Sequence, residues 1–242
     1  MKRNGHRFLP ERSHLILYVL ALLIAALFLP TSAMAHKPLF VERSIGGYEQ
    51  AFEIPDPSVS YAAYGELKER GGVDVYKFTL TKQAPFYARI SVPNQPATKD
   101  FGPAFVLFGP GLPTTNEPPN FPLELPADLG RAILLWNGER DEFFEPFTQT
   151  SLIQHQLLSK TLEPGTYYIA VYDPTGGTGK YVLATGDKEQ FGFLDWLKFP
   201  ATWYKVRMWY DPGQTWLIIA GAFAFLASAL YYIKRLRSQD ET

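Results

Sequence analysis

The sequence predicts an all-β fold: an antiparallel, jelly-roll-like β-sandwich of about nine strands, followed by an interfacial amphipathic helix and one transmembrane helix. Composition is the first observation, since 20 prolines, 19 glycines and 15% aromatic residues among 242 suit a loop-rich β domain. The second is a hairpin at 162–186, where two β-branched and aromatic runs flank a turn containing Pro174 and three glycines. The third is a run of 19 uncharged residues, 215–233.

Further strands are predicted upstream of this hairpin. In residues 73–80 three apolar side chains alternate with Lys77 and Thr79, which is the period of a sheet with one buried face. Residues 86–92 alternate in the same way. Residues 151–159 fit either a strand or a short helix. The remaining predicted strands are rich in β-branched, aromatic or other apolar residues and lie at 51–54, 59–64, 104–108, 131–136, 166–172 and 180–185.

Three segments resemble the pre-peptidase C-terminal domains of bacteria. The hairpin carries Gly-Thr-Tyr-Tyr at 165–168 and Gly-x-Tyr-x-Leu at 179–183. Residues 74–78 are similar to the Asp-x-Tyr-x-Phe strand of that family, and residues 106–111 to its middle strand and turn. The resemblance spans residues 51–186 and implies a secreted β-sandwich. It implies little about function, because such sandwiches accompany many secreted proteins.

Residues 1–35 have the pattern of a signal peptide. Basic residues precede an apolar stretch at 15–29, and Ala33 and Ala35 suit cleavage before His36. An uncleaved N-terminal anchor is the alternative, although 15 apolar residues are short for a span that needs about 20. Cleavage would make His36 the first residue of the mature chain and residues 36–190 an extracytoplasmic sandwich.

The sequence of residues 191–214 predicts a helical segment rich in aromatic residues that lies at the membrane surface, called the aromatic collar here. Trp203, Val206 and Tyr210 fall on one face of a helix, and amphipathic aromatic rings prefer the membrane–water interface. The alternative is a helix that packs on the sandwich. The residues predicted to lie at the interface, here and in the following span, are Trp196, Trp203, Trp209, Trp216, Tyr231 and Tyr232.

Residues 215–233 predict a single transmembrane helix. Lys234, Arg235 and Arg237 follow it, so the positive-inside bias places the tail, 234–242, in the cytoplasm. The predicted location is therefore the cytoplasmic membrane, with one pass and an extracytoplasmic N-terminal domain. A stripe of small residues in the span, which would allow two helices to pair as a homodimer, consists of Ala220, Ala224 and Ser228.

A proline-rich segment, 109–126, is a candidate ligand-binding loop. Nine prolines lie between residues 93 and 126, and proline cannot supply the amide donors of a central strand. A loop of this length is often functional, and Pro113, Asn116 and Phe121 are its candidate contacts. The alternative is a rigid flap that covers one sheet.

Two histidines form the candidate metal site. The α-amine and imidazole of His36, together with the imidazole of His155, would give three nitrogen ligands of the kind that suits Cu(II). The alternative is an exposed terminal histidine and an unrelated polar one. Residues 139–145 hold four carboxylates, which suit Ca²⁺ in principle, but a solvated acidic turn explains them without a ligand.

Composition excludes several classes of function. The chain has no cysteine, so it has no disulfide, thiolate nucleophile or Cys-ligated zinc. Residues 36–190 contain 13 basic and 19 acidic residues, a net charge of −6, which argues against nucleic-acid binding. No nucleophile elbow or metalloprotease motif is present. We therefore predict a membrane-anchored binding module for a membrane-protein partner or an envelope polysaccharide. The alternatives are a copper-binding protein and, less favoured, a glycan hydrolase with a carboxylate pair.

Overall fold

The computed structural model describes residues 36–41, 46–114, 117–190 and 192–240. The chain divides into two compact units, one spanning 34–210 and the other containing 211–240 among its described residues. The predicted signal peptide, 1–35, lies outside the described residues.

The described chain contains eleven strands and two α-helices. The strands are β1 (Lys37–Phe40), β2 (Phe52–Glu53), β3 (Tyr61–Leu67), β4 (Val73–Leu80), β5 (Ala84–Pro93), β6 (Ala104–Gly109), β7 (Gly130–Leu134), β8 (Asp141–Glu145), β9 (Thr150–Leu162), β10 (Gly165–Tyr172) and β11 (Gly179–Thr185). The helices are α1 (Phe193–Tyr210) and α2 (Pro212–Asp240).

The strands form two sheets. Sheet A has six strands in the order β1-β3-β11-β5-β9-β8, and sheet B has five in the order β2-β4-β10-β6-β7. Most neighbours are antiparallel, which confirms the predicted all-β sandwich, but β1 pairs with β3 and β2 pairs with β4 in parallel. The predicted hairpin does not pair with itself: β10 lies in sheet B and β11 in sheet A, so the turn between them crosses from one sheet to the other.

The core between the sheets follows from the alternation seen in the sequence. Phe78 of β4 stacks on Phe86 with ring centroids 4.4 Å apart, and on Tyr167 at 5.3 Å. All three side chains are buried, whereas Lys77 and Thr79, on either side of Phe78 in β4, point away from this core. Burial of each such aromatic ring contributes about 2 kcal/mol or more, so the two-residue period decides which sheet face is inward.

The outer faces of both sheets are also covered. On sheet B, part of the proline-rich segment packs against a second apolar cluster that includes Val106 and Phe108. On sheet A, the C-terminal half of α1 packs against a third cluster, in which Val206 and Tyr210 meet Leu152. A sheet with two covered faces needs apolar residues on both, which is why β6 is buried along its whole length.

Helix α2 makes up nearly all of the described part of the second unit. Its residues Pro212–Arg235 form one helix long and apolar enough to cross a membrane by length and composition, with a mean hydropathy of 1.9. Asp211 precedes it, and the Asp211 carboxylate accepts a hydrogen bond from the amide of Gln214 at 2.9 Å, which caps the first turn.

Two strands were not predicted, namely β1 and β8. The sequence of β8, Asp-Glu-Phe-Phe-Glu, has three residues that disfavour strands, and pairing with β9 overrides this preference. The ambiguous segment, 151–159, lies within strand β9 and contains no helix.

Candidate functional site

A polar cleft lies at an irregularity in sheet A, where β9 departs from regular pairing with β5. Arg89 pairs with Leu157 and Ser91 pairs with Gln154, so Ile90 faces two residues of β9 instead of one. The two residues are His155 and Gln156, and this arrangement is a β-bulge. Bulges redirect side chains, and this one places neighbouring histidine and glutamine side chains at one cleft.

His155 is buried without a hydrogen-bond partner. Its side chain is 8% exposed, and its ring stacks on Trp136 with centroids 4.6 Å apart and planes 10° apart. Neither ring nitrogen has a hydrogen-bond partner among the described residues. Burial and, to a smaller extent, the charge of Arg140 together lower the pKa of His155 to about 4. The imidazole is therefore neutral at pH 7, with one N–H donor and one free lone pair.

Gln156 joins the two sheets beside this ring. Its Nε2 donates to the carbonyl oxygens of Pro103, at 2.7 Å, and Leu134, at 3.3 Å. The Oε1 atom is buried and has no hydrogen-bond partner in the described chain. A buried acceptor without a donor is unfavourable by about 1–3 kcal/mol, so this oxygen would gain from a ligand that donates a hydrogen bond.

The cleft has a volume of about 330 Å³ and is lined mainly by polar side chains. The cationic side chain that lines the cleft, Arg89, is already hydrogen-bonded. It donates from Nε to the Tyr87 hydroxyl at 3.0 Å and from Nη1 to Gln154 Oε1 at 2.7 Å. Two exposed carboxylates, Glu139 and Asp141, line it as well. The cleft therefore presents several acceptors to a ligand, and a ligand rich in hydrogen-bond donors fits it best.

The structure describes both histidines of the predicted copper site, and copper binding by them stays a prediction. His36 precedes β1, and its Nδ1 lies 2.5 Å from Ser60 Oγ, whereas His155 lies on β9. Sheet A places β3, β11 and β5 between β1 and β9 in its strand order. Among the described residues, no group of three metal-ligating side chains is arranged to hold a metal ion.

The proline-rich loop covers sheet B instead of presenting its aromatic side chain to solvent. Phe121 packs on Phe108, with centroids 5.5 Å apart, and on Tyr172, at 5.2 Å. Pro113 is exposed, and its carbonyl accepts a hydrogen bond from the amide of Arg131 at 2.6 Å. Asn116 lies outside the described residues. The arrangement of Phe121 matches the flap alternative, and a ligand role for the other two stays a prediction.

The two halves of α1 have different surroundings. Toward its C-terminus, Trp209 lies edge-on to Tyr64 at 5.0 Å, and its carbonyl accepts a hydrogen bond from Lys180 at 2.5 Å. Arg207 is buried there and donates to the carbonyl of Gln149 at 2.5 Å. This half matches the alternative of a helix packed on the sandwich.

The N-terminal half of α1 leaves large apolar side chains in solvent. Phe193 is 76% exposed, Leu194 65% and Leu197 63%. Trp196 packs edge-on against Phe147 at 5.9 Å and is partly exposed. Isolated exposed apolar residues are common, but three of this size within five positions form a patch that calls for a partner.

The predicted interface residues of α2 lie on its surface. Trp216, Tyr231 and Tyr232 are all exposed in this structure, which contains no membrane. Ala220, Ala224 and Ser228 are exposed at four-residue intervals, and the Ser228 hydroxyl donates to the carbonyl of Ala224 at 2.8 Å, within the same helix. Pairing of two spans along this stripe stays a prediction.

Sequence reasoning found His155 but missed Trp136, Gln156 and the cleft. One signal was available: apolar Leu152 and Ile153 are adjacent, and the polar run 154–156 follows, which breaks the period of two. Such a break indicates a bulge, but it does not reveal which side chains the bulge brings together.

Comparison with known proteins leaves the cleft unassigned. No protein-family model and no curated protein sequence matches this chain. Among solved structures, the chain is similar to the pre-peptidase C-terminal domain of a collagenase from Bacillus anthracis, at 18% identity and a TM-score of 0.34. That match covers 56% of this chain and 93% of the other.

A second solved structure that the chain resembles is CorA from Methylomicrobium album BG8. CorA is described as a surface-associated copper-binding protein important in copper acquisition. The match has 8% identity and a TM-score of 0.28, and it covers 64% of this chain and 99% of CorA.

Proposed function

We propose that this chain is a single-pass interaction module, whose sandwich lies outside the cytoplasmic membrane and binds a protein partner of that membrane. The observation that carries the position of this module at the membrane is the exposed apolar half of α1. Phe193, Leu194 and Leu197 face solvent shortly before an apolar helix long enough to span a bilayer. An apolar patch in this position gains most where the headgroup region replaces water around it.

The division of α1 into two halves supports this role. Val206 and Tyr210 are buried against sheet A, so the C-terminal half is fixed to the sandwich. The N-terminal half then holds its apolar side chains in a defined position relative to sheet A, within one compact unit. Only Asp211 separates α1 from α2 in the sequence.

Charge distribution supports the orientation. Lys234 and Arg235 directly follow the apolar stretch. Basic residues close to the end of a span are retained in the cytoplasm, which places the sandwich on the other side of the membrane.

Single-cysteine variants test the orientation, because the natural chain has no cysteine. Lys82→Cys lies in an exposed turn. It should react with a membrane-impermeant maleimide in cells whose outer envelope layers have been removed and whose cytoplasmic membrane is intact. Ser238→Cys, in the tail, should react only after the membrane is permeabilised. The reverse pattern of labelling would rule out the proposed topology.

Photo-crosslinking in native membranes tests the binding role. A photoreactive amino acid would replace, one at a time, four exposed residues spread over the sandwich: Lys82, Glu124, Phe144 and Glu163. An interaction module should give a discrete protein adduct from some positions and none from others. Adducts from no position, or equal diffuse adducts from all four, would contradict the proposal.

A further inference from the structure

We infer that the outer edge of β8 docks an extended, basic segment of the partner protein, which adds a strand to sheet A. A cationic side chain of that segment would enter the cleft beside His155. The inference rests on the proposed function and names the chemistry of the partner. It follows from three observations about β8: its acidic edge, its exposed side chains and its continuity with the cleft.

The edge of β8 differs from the other three sheet edges in how it is protected, because its charged side chains are all acidic. The edge strand β1 includes Lys37 and Pro38, both of which discourage pairing. Strand β2 is only two residues long. On β7, the amide of Arg131 is bonded to the carbonyl of Pro113 in the proline-rich loop. Strand β8 has five residues, ends sheet A, and contains no lysine or proline.

An unpaired row of backbone groups on β8 is a template for another strand. Antiparallel pairing with β9 uses the backbone groups of one side, so those on the other side face away from the sheet. The first four side chains of β8 are exposed, including Phe144 at 60%. Phe143 and Phe144 project to opposite faces of the strand, so an added strand could pack its apolar residues on either ring.

Charge decides which kind of segment can pair with this edge. If a second copy of β8 paired antiparallel around Phe143, Asp141 would lie opposite Glu145. Parallel pairing in register would place each carboxylate beside its counterpart in the other copy. Like charges directly opposite each other are destabilising, so this edge disfavours a second copy and an acidic partner. A basic segment would gain from Asp141 and Glu142.

The cleft continues this acidic edge. Asp141 is the first residue of β8 and also lines the cleft, together with Glu139. Beside it lie two buried acceptors without a hydrogen-bond partner in the described chain, one ring nitrogen of neutral His155 and the Oε1 of Gln156. The carboxylates of Glu139 and Asp141 also accept hydrogen bonds, and a lysine ammonium or arginine guanidinium carries donors only.

Two cations lie near the cleft. Arg89 is engaged by Tyr87 and Gln154, and Arg140 donates to the carbonyl of Lys99 at 2.9 Å. The two carboxylates that line the cleft, Glu139 and Asp141, offset these two positive charges. These carboxylates are therefore the recognition element for one basic side chain of the added strand.

The test is a peptide titration of the full chain in phosphatidylcholine nanodiscs, whose neutral lipid does not attract a basic peptide. The probes are a nine-residue peptide of alternating lysine and valine and its counterpart with glutamate for lysine. We expect the basic peptide to bind and the acidic one not to. Asp141→Lys combined with Glu142→Lys should weaken binding about tenfold or more, equivalent to at least about 1.4 kcal/mol.

A matched control carries the same charge change elsewhere. Glu117→Lys combined with Glu124→Lys reverses two exposed carboxylates of the proline-rich loop and should change the affinity less than about twofold. Equal weakening by both double variants would show nonspecific charge attraction and overturn the inference. All four positions are exposed, so these variants should keep the wild-type fold.

A third probe separates strand addition from simple charge pairing. The same basic peptide, methylated on alternate amide nitrogens, keeps its charges but loses the hydrogen bonds of one strand edge. Two such peptides exist, with methyl groups on the odd-numbered or on the even-numbered amide nitrogens. One of the two should bind at least tenfold more weakly than the parent peptide, because its methyl groups block the edge that faces β8. Equal binding of both methylated peptides and the parent peptide would contradict docking by strand addition.

Crosslinking distinguishes failure of this inference from failure of the proposed function. A protein adduct from Phe144 whose crosslinked segment is basic supports both. Adducts from Lys82, Glu124 or Glu163 with none from Phe144 would leave the interaction module intact and reject the β8 edge. An adduct between two copies through Phe144 would also reject the basic partner.

Discussion

The hydroxyl of Tyr181 donates a hydrogen bond to the Asp74 carboxylate at 2.6 Å, and so joins β11 of sheet A to β4 of sheet B. The Tyr76 hydroxyl lies 2.8 Å from that of Tyr181. Since the proton of Tyr181 is directed to Asp74, Tyr76 is the donor in this second bond. Burial raises the pKa of both tyrosines well above the ordinary value, so both stay protonated and able to donate.

This network should contribute measurably to stability. Tyr181→Phe removes the donor to a buried carboxylate and should lower the free energy of unfolding by about 1.5–3 kcal/mol. Chemical denaturation of the full chain in mild detergent measures the change. Tyr61→Phe, on the half-buried Tyr61 of neighbouring β3, is the control and should cost less than about 1 kcal/mol. Equal losses of unfolding free energy in the two variants would mean that the bond between the Tyr181 hydroxyl and the Asp74 carboxylate does not stabilise the fold more than an ordinary tyrosine hydroxyl does.

Gly65 makes room for the ring of Tyr181, with which it pairs across β3 and β11. A Cβ atom at Gly65 would lie 2.5 Å from both Cζ and Oη of that tyrosine. Gly65→Ala should therefore lower the free energy of unfolding by about 3 kcal/mol, because the buried ring has to move out of its network. Gly46→Ala, where a Cβ would meet nothing within 4 Å, should cost less than about 0.5 kcal/mol. The same denaturation experiment compares them, and a tolerated Gly65→Ala would contradict the packing described here.

Burial of His155 should make folding weaker in acid. Its folded-state pKa, about 4, lies below the ordinary value of 6.5, so the unfolded chain binds the proton more readily. The stabilisation is complete above about pH 6.5 and is lost as the pH falls toward 4, by about 2–3 kcal/mol in total. Unfolding free energies measured from pH 7.5 to 4 should show this slope.

The variant His155→Gln isolates that contribution. Other groups also titrate in acid, including His36, whose pKa is lowered by burial, and Asp56, whose pKa is lowered by hydrogen bonds from Ser58. They remain in the variant, so the difference between the two pH profiles reports on His155 alone. An unchanged slope in His155→Gln would show that the imidazole is not buried and neutral.

The exposed half of α1 should enter the headgroup region. A polarity-sensitive dye on Leu197→Cys should show blue-shifted emission when the full chain is placed in lipid nanodiscs. The same dye on Lys82→Cys, in the turn between β4 and β5, should report water in the same sample. If the dye at position 197 showed emission typical of water, the apolar patch would not lie in the headgroup region. That result would contradict the proposed contact of α1 with the membrane.

Much of the fold was predictable from local pattern. Strand β4 was predicted with its observed bounds, because three apolar residues alternate there with Lys77 and Thr79. The motif residues Asp74, Tyr76 and Tyr181 also stood out in the sequence, although nothing showed that they bond to one another. Local alternation indicates a strand and its buried face, but it contains no information on the partner strand.

The site was much less predictable. The copper prediction joined His36 and His155 by residue type, and the strand order of sheet A separates them. The acidic run at β8 suggested a turn, because Asp and Glu disfavour strands, and only its pairing with β9 made it an edge. A site of this kind depends on which strand ends the sheet, and that is a property of the whole sandwich.

The sequence by itself determined the alternating strands, the absence of cysteine chemistry and the apolar stretch that predicts a membrane span. These properties depend on residue type and on spacings of a few residues, so they can be inferred without a fold. Tertiary structure alone decided that His155 has no hydrogen-bond partner in the described chain, that Phe121 packs on sheet B and that β8 ends sheet A. Each of these depends on contacts between residues far apart in the chain, which only the packing of the two sheets brings together.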